Sequence, residues 1–342
     1  MKLKSGLLWF VFLLILSSCV SFEKFSIEVY KPSELHLGSN VKKIAIISRN
    51  LKYVNDTLQN YQVKNRHLIK DKIRFNFDSL AIQTCLDSLS GHLLAQNRFD
   101  SILILPFHTF PKNEVKEIRP ANPEWYKAIS NKTGADALIL LDMFSCFYSQ
   151  TNDNPNPTVN VVTSNIWSVY GAKEQRIIDR FTQVDTLYWD ELDENGQYRK
   201  LRMPDKKSAI KLAAEVIGEN YSKHILPTWT KVDRTIMQNT DPEFKKATKL
   251  AQNTKWEEAV AIWQKYSDSK SKLKRVTALY NLALASEMNG NVDQAIELTD
   301  QAAKVSSGLF MSSENEAVRK YSAVLHQRKN EINKLNNQYE TR

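Results

Sequence analysis

Residues 43–48 read KIAIIS, an almost unbroken run of isoleucine and alanine. A strand that faces solvent on one side alternates apolar and polar residues, whereas a strand covered on both faces reads as a continuous apolar run. The run therefore predicts a central strand in a sheet with both faces covered. A helical pattern at 79–97 follows, and then a short apolar run at 101–105, so the three segments together predict a βαβ unit.

The pattern of alternating strands and helices extends on both sides of this unit. We expect a mixed sheet, because two long runs rich in β-branched and aromatic residues surround a turn at Gly171 and favour antiparallel strands. The other predicted elements are a strand at 26–30, a helix from 124 to 131, a strand at 135–149, hairpin strands at 158–170 and 176–189, and a helix that Asp205 caps.

The strand signal ends at Asp241, and helical periodicity continues to the carboxyl terminus. WEEAV at 256–260 aligns with VDQAI at 292–296, an internal offset of 36 residues. Ala283, Ala295 and Ala302 occur at intervals of 12 and seven residues, and this spacing of small residues resembles the tetratricopeptide repeat. A plain pair of helical hairpins is the alternative interpretation.

The predicted fold class is therefore a mixed-sheet domain of α+β and α/β character followed by an all-α, tetratricopeptide-like domain. We assign residues 1–18 to a signal peptide, 19–237 to the mixed-sheet domain and 238–342 to the helical repeats. The last helix of the repeats is expected to cap them.

The amino terminus reads MKLKSGLLWFVFLLILSSC. A basic start, an apolar run too short to span a bilayer and two serines precede Cys19, which is the order of an export signal. LSSC at 16–19 resembles the bacterial lipobox, and the resemblance implies that Cys19 carries a diacylglyceryl group after cleavage. We expect this lipid to hold the protein on a membrane. The alternative is an ordinary signal peptide with a coincidental cysteine.

Composition excludes several function classes. The formal net charge is +9, and it falls to +7 when the segment that carries Lys2 and Lys4 is removed. A basic cluster at 64–74 could meet phosphates or anionic lipid headgroups, but no nucleic-acid motif accompanies it, so we expect no nucleic-acid partner.

Nine glycines leave little material for phosphate-binding loops, and the sequence contains none of the common catalytic motifs. We predict no catalytic residues, no metal site and no cofactor.

The three cysteines divide into one lipid attachment point and two others. Cys85 lies in an apolar helical pattern and Cys146 at the end of an apolar strand. The sequence leaves open whether these two are buried thiols or form a disulfide.

Aromatic side chains are the candidate partner-binding residues. Trp256, Trp263 and Tyr280 lie in the predicted repeats, and Trp167 and Tyr170 lie on the long hairpin. Exposed rings on the hairpin could stack on a peptide or a sugar, but packing of these rings in the core is the favoured interpretation. With the nearby carboxylates Asp185 and Asp190, the hairpin aromatics form the basis of an alternative function, a glycan- or peptide-processing or binding lipoprotein.

YKPSEL at 30–35, IAIISR at 44–49, IWSVY at 166–170 and the terminal repeats resemble an uncharacterised family of Bacteroidetes-type lipoproteins. The first domain is similar in outline to the amino-terminal domains of Tol-translocation and curli-secretion lipoproteins, in which an apolar strand follows a segment like Gly134-Ala135-Asp136. The family brings no known catalytic residue. Val20 stands where an inner-membrane retention signal would favour aspartate, which by analogy implies the periplasmic face of the outer membrane, with surface exposure left open.

We therefore expect a non-enzymatic lipoprotein of the cell envelope that acts as a protein-interaction or assembly module for an unknown envelope partner. A structural subunit of a secretion or assembly complex is a related alternative, which differs mainly in oligomeric state.

Overall fold

The computed structural model describes residues 21–54, 61–70, 77–151, 157–190, 203–307 and 313–340. The predicted signal peptide and Cys19 lie outside the described residues. The described chain forms two compact units: the first contains residues 33–227, and the second combines the strand before residue 33 with residues 228–340.

The first unit is a mixed sheet with three helices. Its strands are β2 (Lys43–Tyr53), β3 (Tyr61–Lys64), β4 (His67–Lys70), β5 (Ser101–Ile104), β6 (Asn113–Val115), β7 (Ala137–Thr151), β8 (Thr158–Gly171) and β9 (Arg176–Asp190), and its helices are α1 (Phe77–Ala95), α2 (Pro123–Thr133) and α3 (Lys206–Ile225).

Strand β2 lies in the interior of the sheet, as the run at 43–48 predicts. It pairs in parallel with β5 on one side and with β7 on the other. Ile44 and Ile46 pack with side chains of α1 and α3 on one face, and Ala45 and Ile47 pack with Tyr126 of α2 on the other. The predicted βαβ unit is therefore confirmed, and the continuous apolar run is explained by burial on both faces.

The other half of the sheet is antiparallel. Strand β8 pairs with β7 and β9 over almost its whole length, and the register shifts between Leu141 and Met143 of β7. Strand β3 continues the sheet beside the carboxyl half of β7, and it forms a tight hairpin with β4. We did not predict this hairpin, because strands of only four residues, YQVK and HLIK, are too short for a pattern to be recognised with certainty.

Most predicted helix ends are confirmed. The side chain of Asp205 accepts a hydrogen bond from the backbone N–H of Ser208 at 2.8 Å, as an N-cap does. Pro123 begins α2, and Gly134 ends it in the left-handed conformation at φ 64°. The exception is the first helix: α1 covers Phe77–Ala95, two residues earlier at each end than the helical pattern at 79–97, so Asp78 lies within its first turn.

The second unit is a two-stranded ribbon and five helices. Strand β1 (Phe22–Lys31) pairs antiparallel with β10 (Thr228–Met237), from Phe22 opposite Met237 to Lys31 opposite Thr228. The helices are α4 (Pro242–Gln252), α5 (Trp256–Gln264), α6 (Lys272–Met288), α7 (Val292–Ser306) and α8 (Ser313–Glu340). Residues 228–237 form a strand that we did not predict, and this strand belongs with β1 to the second unit, whereas we assign both segments to the mixed-sheet domain at 19–237. The reason is that its pairing partner lies about 200 residues earlier in the chain, beyond the reach of any local pattern.

The architecture is thus a mixed α/β sheet with a helical carboxyl-terminal region. Among the residues that the structure describes, no helix is both long enough and apolar enough to cross a bilayer.

Candidate functional site

The second unit contains a partly open cavity of about 420 Å³ between the β1–β10 ribbon and helices α6 and α8. We call it the ribbon–helix cavity. Aromatic and aliphatic side chains form much of its wall: Phe22 from β1, Tyr280 from α6, and Ala317, Tyr321 and Val324 from α8. Because these residues come from three separate parts of the sequence, the cavity exists only in the folded chain.

Arg234, which lines the cavity, belongs to a buried ion pair. Arg234 of β10 donates to Glu287 of α6 from Nε to Oε2 at 2.9 Å and from Nη2 to Oε1 at 2.6 Å. The hydroxyl of Tyr321 donates to the same carboxylate at 2.8 Å. The side chains of Arg234 and Glu287 are only 11% and 2% exposed. A bidentate and fully hydrogen-bonded pair in a low-dielectric setting holds its three side chains in one arrangement.

The surroundings raise the pKa of Tyr321 and of Arg234. Burial raises the pKa of Tyr321 well above its usual value, and the charge of Glu287 raises it further. Burial alone would lower the pKa of Arg234, but the hydrogen bonds and charge of Glu287 outweigh burial and raise it. Both groups therefore keep their protons at neutral pH, and the pair acts as a fixed structural element rather than as an acid or a base.

A second set of hydrogen bonds joins helix α6 to the ribbon. The side-chain amide of Asn281 donates to the backbone oxygen of Met237 at 2.8 Å and accepts from the backbone N–H of Met237 at 2.9 Å. The carboxamide therefore replaces the backbone of a neighbouring strand. Beside it, the hydroxyls of Tyr280 and Thr235 lie 2.8 Å apart. Of these residues we predicted only Tyr280, although a fully buried asparagine, Asn281, in the apolar run ALYNLALA at 278–285 was a signal that could have been used.

Charges of both signs surround the mouth of the cavity. Lys320 and Glu316 of α8 form an exposed ion pair at 2.6 Å. Across the cavity, Lys24 lies on β1, and Asp233 of β10 accepts a hydrogen bond from Ser26 at 2.8 Å. Two cations and two anions therefore balance one another. Such a mouth favours a ligand with mixed polar groups over a polyanion such as nucleic acid.

The structure places most of the predicted partner-binding aromatics in the interior. Trp167 and Trp263 are completely buried, and Tyr170 and Tyr280 are 2% and 3% exposed. Trp256 is half-buried, with its ring centroid 5.1 Å from that of Phe25. Only Tyr280 lines the ribbon–helix cavity. Trp167, Tyr170 and Trp263 could touch a partner only after rearrangement, and the reason is that large rings supply the most apolar area to a core.

The first unit contains a second buried ion pair. Arg49 of β2 donates to Asp142 at 3.0 Å, and the hydroxyl of Ser168 donates to the other carboxylate oxygen at 2.7 Å. Asp142 is fully buried and lies at the register shift of β7. Burial raises the pKa of Asp142, although the charge of Arg49 opposes this effect. A cavity of about 320 Å³, which Trp125 and Phe110 line, lies beside Arg49. The carboxylate itself is completely covered, so this pair has the character of a structural link.

One acid of the alternative enzyme hypothesis, Asp185, has amide partners, and the other, Asp190, is hydrogen-bonded to Tyr188. Asp185 accepts hydrogen bonds from the side chains of Gln183 and Asn220. Two of the aromatic residues on which that hypothesis depends, Trp167 and Tyr170, lie in the core, where they stack on Tyr221 and Tyr126. Among the described residues, no group of three or more His, Cys, Asp and Glu side chains is placed to hold a metal ion.

His224 of α3 lies between two carboxylates in the first unit. Its Nδ1 is 2.9 Å from Glu34, and its Nε2 is 3.0 Å from Asp179. Burial alone would lower the pKa of His224, but hydrogen bonding to Asp179 and Glu34, together with their charges, raises it. When it is protonated, the ring donates from both nitrogens and joins the segment before β2 to α3 and β9.

Cys85 and Cys146 are both buried and do not form a disulfide in this structure. Burial raises the pKa of the Cys85 thiol, which removes its reactivity as a thiolate. The sequence leaves open either a disulfide or two buried thiols, and the structure contains two buried thiols.

Comparison with known proteins gives two family matches. Residues 41–236 match the model described as "Domain of unknown function (DUF8603)", and residues 245–327 match "Domain of unknown function (DUF6340)". No curated protein matches the chain. Among solved structures, the chain is similar to one titled "PelC dodecamer from Paraburkholderia phytofirmans", with 7% identity, a TM-score of 0.25, and coverage of 60% of this chain and 100% of that one. Because the first family model extends over more than half of the 342 residues, the protein belongs to the DUF8603 family of domains of unknown function.

Proposed function

We propose that this chain is a lipid-anchored, non-catalytic protein of the cell envelope, of the Bacteroidetes type that the sequence resembles, and that it binds another protein through the ribbon–helix cavity. The observation that supports binding is the cavity itself. It combines apolar walls, a fixed ion pair on one side and balanced charges at its mouth.

The proposed anchor is a diacylglyceryl group on Cys19. The order of basic start, apolar run, serines and cysteine supports it. The anchor is tested by labelling growing cells with an alkyne fatty acid. We expect the label on the wild-type chain, and we expect Cys19→Ala to abolish it together with recovery of the protein in membranes. Label retained by the variant would contradict the anchor.

The proposed character of the helical region is tetratricopeptide-like. Helices α4 and α5 form one pair, α6 and α7 form a second, and α8 follows. Ala259, Ala283, Ala295 and Ala302, the small residues at the matching positions of the pairs, are completely buried. Small side chains at helix crossings allow close approach of the backbones, as such repeats require. The repeats then serve as the scaffold that holds one side of the cavity.

A protein partner suits the cavity better than a metabolite does. Partly open pockets with apolar walls accept anchor side chains from a partner's surface, and charges at the rim select the correct partner. Lys24 and Asp233 lie on opposite strands of the ribbon and offer one charge of each sign. The expected ligand is therefore a protein surface with an aromatic or aliphatic anchor flanked by charged residues.

The experiment uses a photo-crosslinking amino acid at two positions of α8 in the full-length protein in its native membranes. Ala317 lines the cavity and Ala323 is exposed on the same helix. We expect a discrete crosslinked species from position 317 and none from position 323. The partner is then identified by mass spectrometry, purified and mixed with Ala317→Trp, which fills the cavity, and with Ala323→Trp as the matched control. Binding that survives Ala317→Trp, or equal crosslinking from both positions, would overturn the proposal.

A further inference from the structure

One end of the first unit's sheet carries a face with an unusual composition, which we call the open face. Side chains of paired residues in neighbouring strands lie on the same face of a sheet. Three rows follow from the register of β7, β8 and β9: Ser145–Ser164–Val184, Phe147–Val162–Thr186, and Ser149–Asn160–Tyr188. The last row continues into the short hairpin through Val63 and Leu68.

These three rows contain no charged side chain, and the next row, Thr151–Thr158–Asp190, ends in a carboxylate that is hydrogen-bonded to Tyr188. Four large apolar residues on it are strongly exposed: Leu68 at 65%, Val184 at 64%, Tyr188 at 55% and Val162 at 38%. The opposite face of the same strands packs against α1 and α3. The solvent face of an antiparallel sheet is normally polar and charged, and a contiguous exposed apolar patch marks an interaction surface.

A basic edge borders the open face. The β3–β4 hairpin at 61–70 carries Lys64, Arg66 and Lys70 and contains no acidic residue. All three cations are exposed. Lys70 shares the open face with Leu68, Arg66 lies at the turn, and Lys64, which pairs with Gln150 and His67, projects to the opposite face at the same edge. The turn between the strands places both Asn65 and Arg66 at positive φ, 49° and 64°, which is the backbone of a type I′ turn. Glycine adopts this backbone at a lower steric cost than arginine does. The chain nevertheless has a cation, Arg66, at the tip of the turn.

We propose that the open face and its basic edge lie against the headgroup region of an anionic lipid bilayer. The cations complement anionic headgroups, and exposed aliphatic residues beside them enter the boundary between headgroups and acyl chains. Tyr188 is a residue type that concentrates at this boundary. A nucleic acid would complement the cations but not the exposed apolar side chains of these uncharged rows. This contact adds a second membrane signal to the proposed lipid on Cys19 and does not depend on that lipid.

The test uses residues 20–342, which retain every described residue and lack the lipid. The chain is mixed with vesicles of phosphatidylcholine alone, or of one part phosphatidylglycerol to two parts phosphatidylcholine, and the bound fraction is measured by sedimentation. We expect binding to the anionic vesicles only, and we expect it to weaken when salt is raised to about 0.15 M. Equal binding to both vesicles, or no binding, would overturn the proposal. If labelling still locates the lipid on Cys19, the proposed anchor stands in either case.

Two variants locate the contact. The triple change Lys64→Gln, Arg66→Gln and Lys70→Gln removes three cations. Each cation raises the partition coefficient onto anionic vesicles by about fivefold, so binding should fall by about a hundredfold. The matched control neutralises three exposed lysines of α3, on the other side of the sheet: Lys207→Gln, Lys211→Gln and Lys223→Gln. The two triple variants have equal net charge, so equal binding by both would show that only the overall charge of the protein matters, and would overturn the proposal.

Val184→Asp tests the apolar contribution and should weaken binding roughly tenfold, because it replaces an apolar contact with an anion that anionic headgroups repel. Leu94→Asp is its control, since Leu94 is a 54% exposed residue on α1. Circular dichroism checks that each variant is folded. The same variants are examined by sedimentation equilibrium without lipid. If Val184→Asp instead dissociates a dimer and leaves vesicle binding unchanged, the face belongs to a second copy of the chain and the lipid proposal is wrong.

Discussion

Glu287→Gln tests whether the buried ion pair beside the ribbon–helix cavity stabilises the protein. The substitution keeps the shape of the side chain and one acceptor for Tyr321, and it removes the negative charge opposite Arg234. Because Arg234 is 11% exposed, its guanidinium is left buried without a counter-charge. Removing one partner of a buried ion pair costs about 3–5 kcal/mol of stability. We expect a value near 3 kcal/mol, the lower end, since glutamine can still accept a hydrogen bond.

The assay is urea unfolding of residues 20–342, followed by circular dichroism. The two compact units could unfold in separate transitions, so hydrogen exchange must show which one changes. We expect faster exchange in peptides from α6 and β10, the elements that the pair joins, and little change in peptides from β2 and β7.

A matched control exists on α8. The ion pair of Glu316 with Lys320 has the same closest distance of 2.6 Å, but its side chains are 69% and 75% exposed. Glu316→Gln should therefore leave the stability unchanged, because solvent already screens that pair. The double variant Arg234→Met with Glu287→Leu removes both charges and should be more stable than Glu287→Gln alone. The reasoning is refuted if Glu287→Gln costs less than about 1 kcal/mol, or if the double variant is no more stable than the single one.

Three further predictions concern the first unit. In Gly218→Ala, the new methyl group would overlap backbone atoms of α1, so we expect the free energy of unfolding to fall by about 1–3 kcal/mol in thermal unfolding. Gly91→Ala has open space for its methyl group, and its free energy of unfolding should rise by about 0.5–1 kcal/mol. Equal shifts in the two variants would contradict this difference. The raised pKa of His224 means that its contribution to stability is complete below its unfolded value of about 6.5 and is lost as pH rises through the folded pKa. His224→Gln should therefore destabilise the protein most at low pH, and a loss that does not vary with pH would contradict the two-carboxylate arrangement. Cys85 should resist iodoacetamide at neutral pH until urea unfolds the chain, and mass spectrometry that finds rapid modification of the folded protein would refute its burial.

Several parts of the fold could be read from local sequence. KIAIIS at 43–48 predicts a strand covered on both faces, since each of its apolar side chains must leave water whichever way it points. Asp205 and Asp241 predict helix starts, because a carboxylate beside free backbone N–H groups is a local arrangement, and the structure confirms both. The short β3–β4 hairpin has no such local signal, and we missed it.

The residues of the candidate site were harder to predict from local sequence. Trp167 and Tyr170 could be recognised as strand aromatics, but whether a ring faces a core or a partner depends on what packs above it. Tyr221 stacks on Trp167 with ring centroids 4.1 Å apart, and the two residues are separated by more than fifty positions. Apolarity predicts that a side chain will be buried somewhere, but not which neighbour will bury it.

The sequence by itself determined the order of strands and helices in most of the chain, the helical character of the carboxyl-terminal region and the scarcity of phosphate-binding loops, because these follow from residue type and spacing over a few turns. Only the tertiary structure decided that β10 pairs with β1, that Asn281 holds Met237, and that Arg234 and Glu287 meet beside a cavity. Each of these contacts joins residues that are 44 to about 200 positions apart. Their formation depends on the folded backbone bringing complementary groups within hydrogen-bond distance, and no local pattern of residues records that distance.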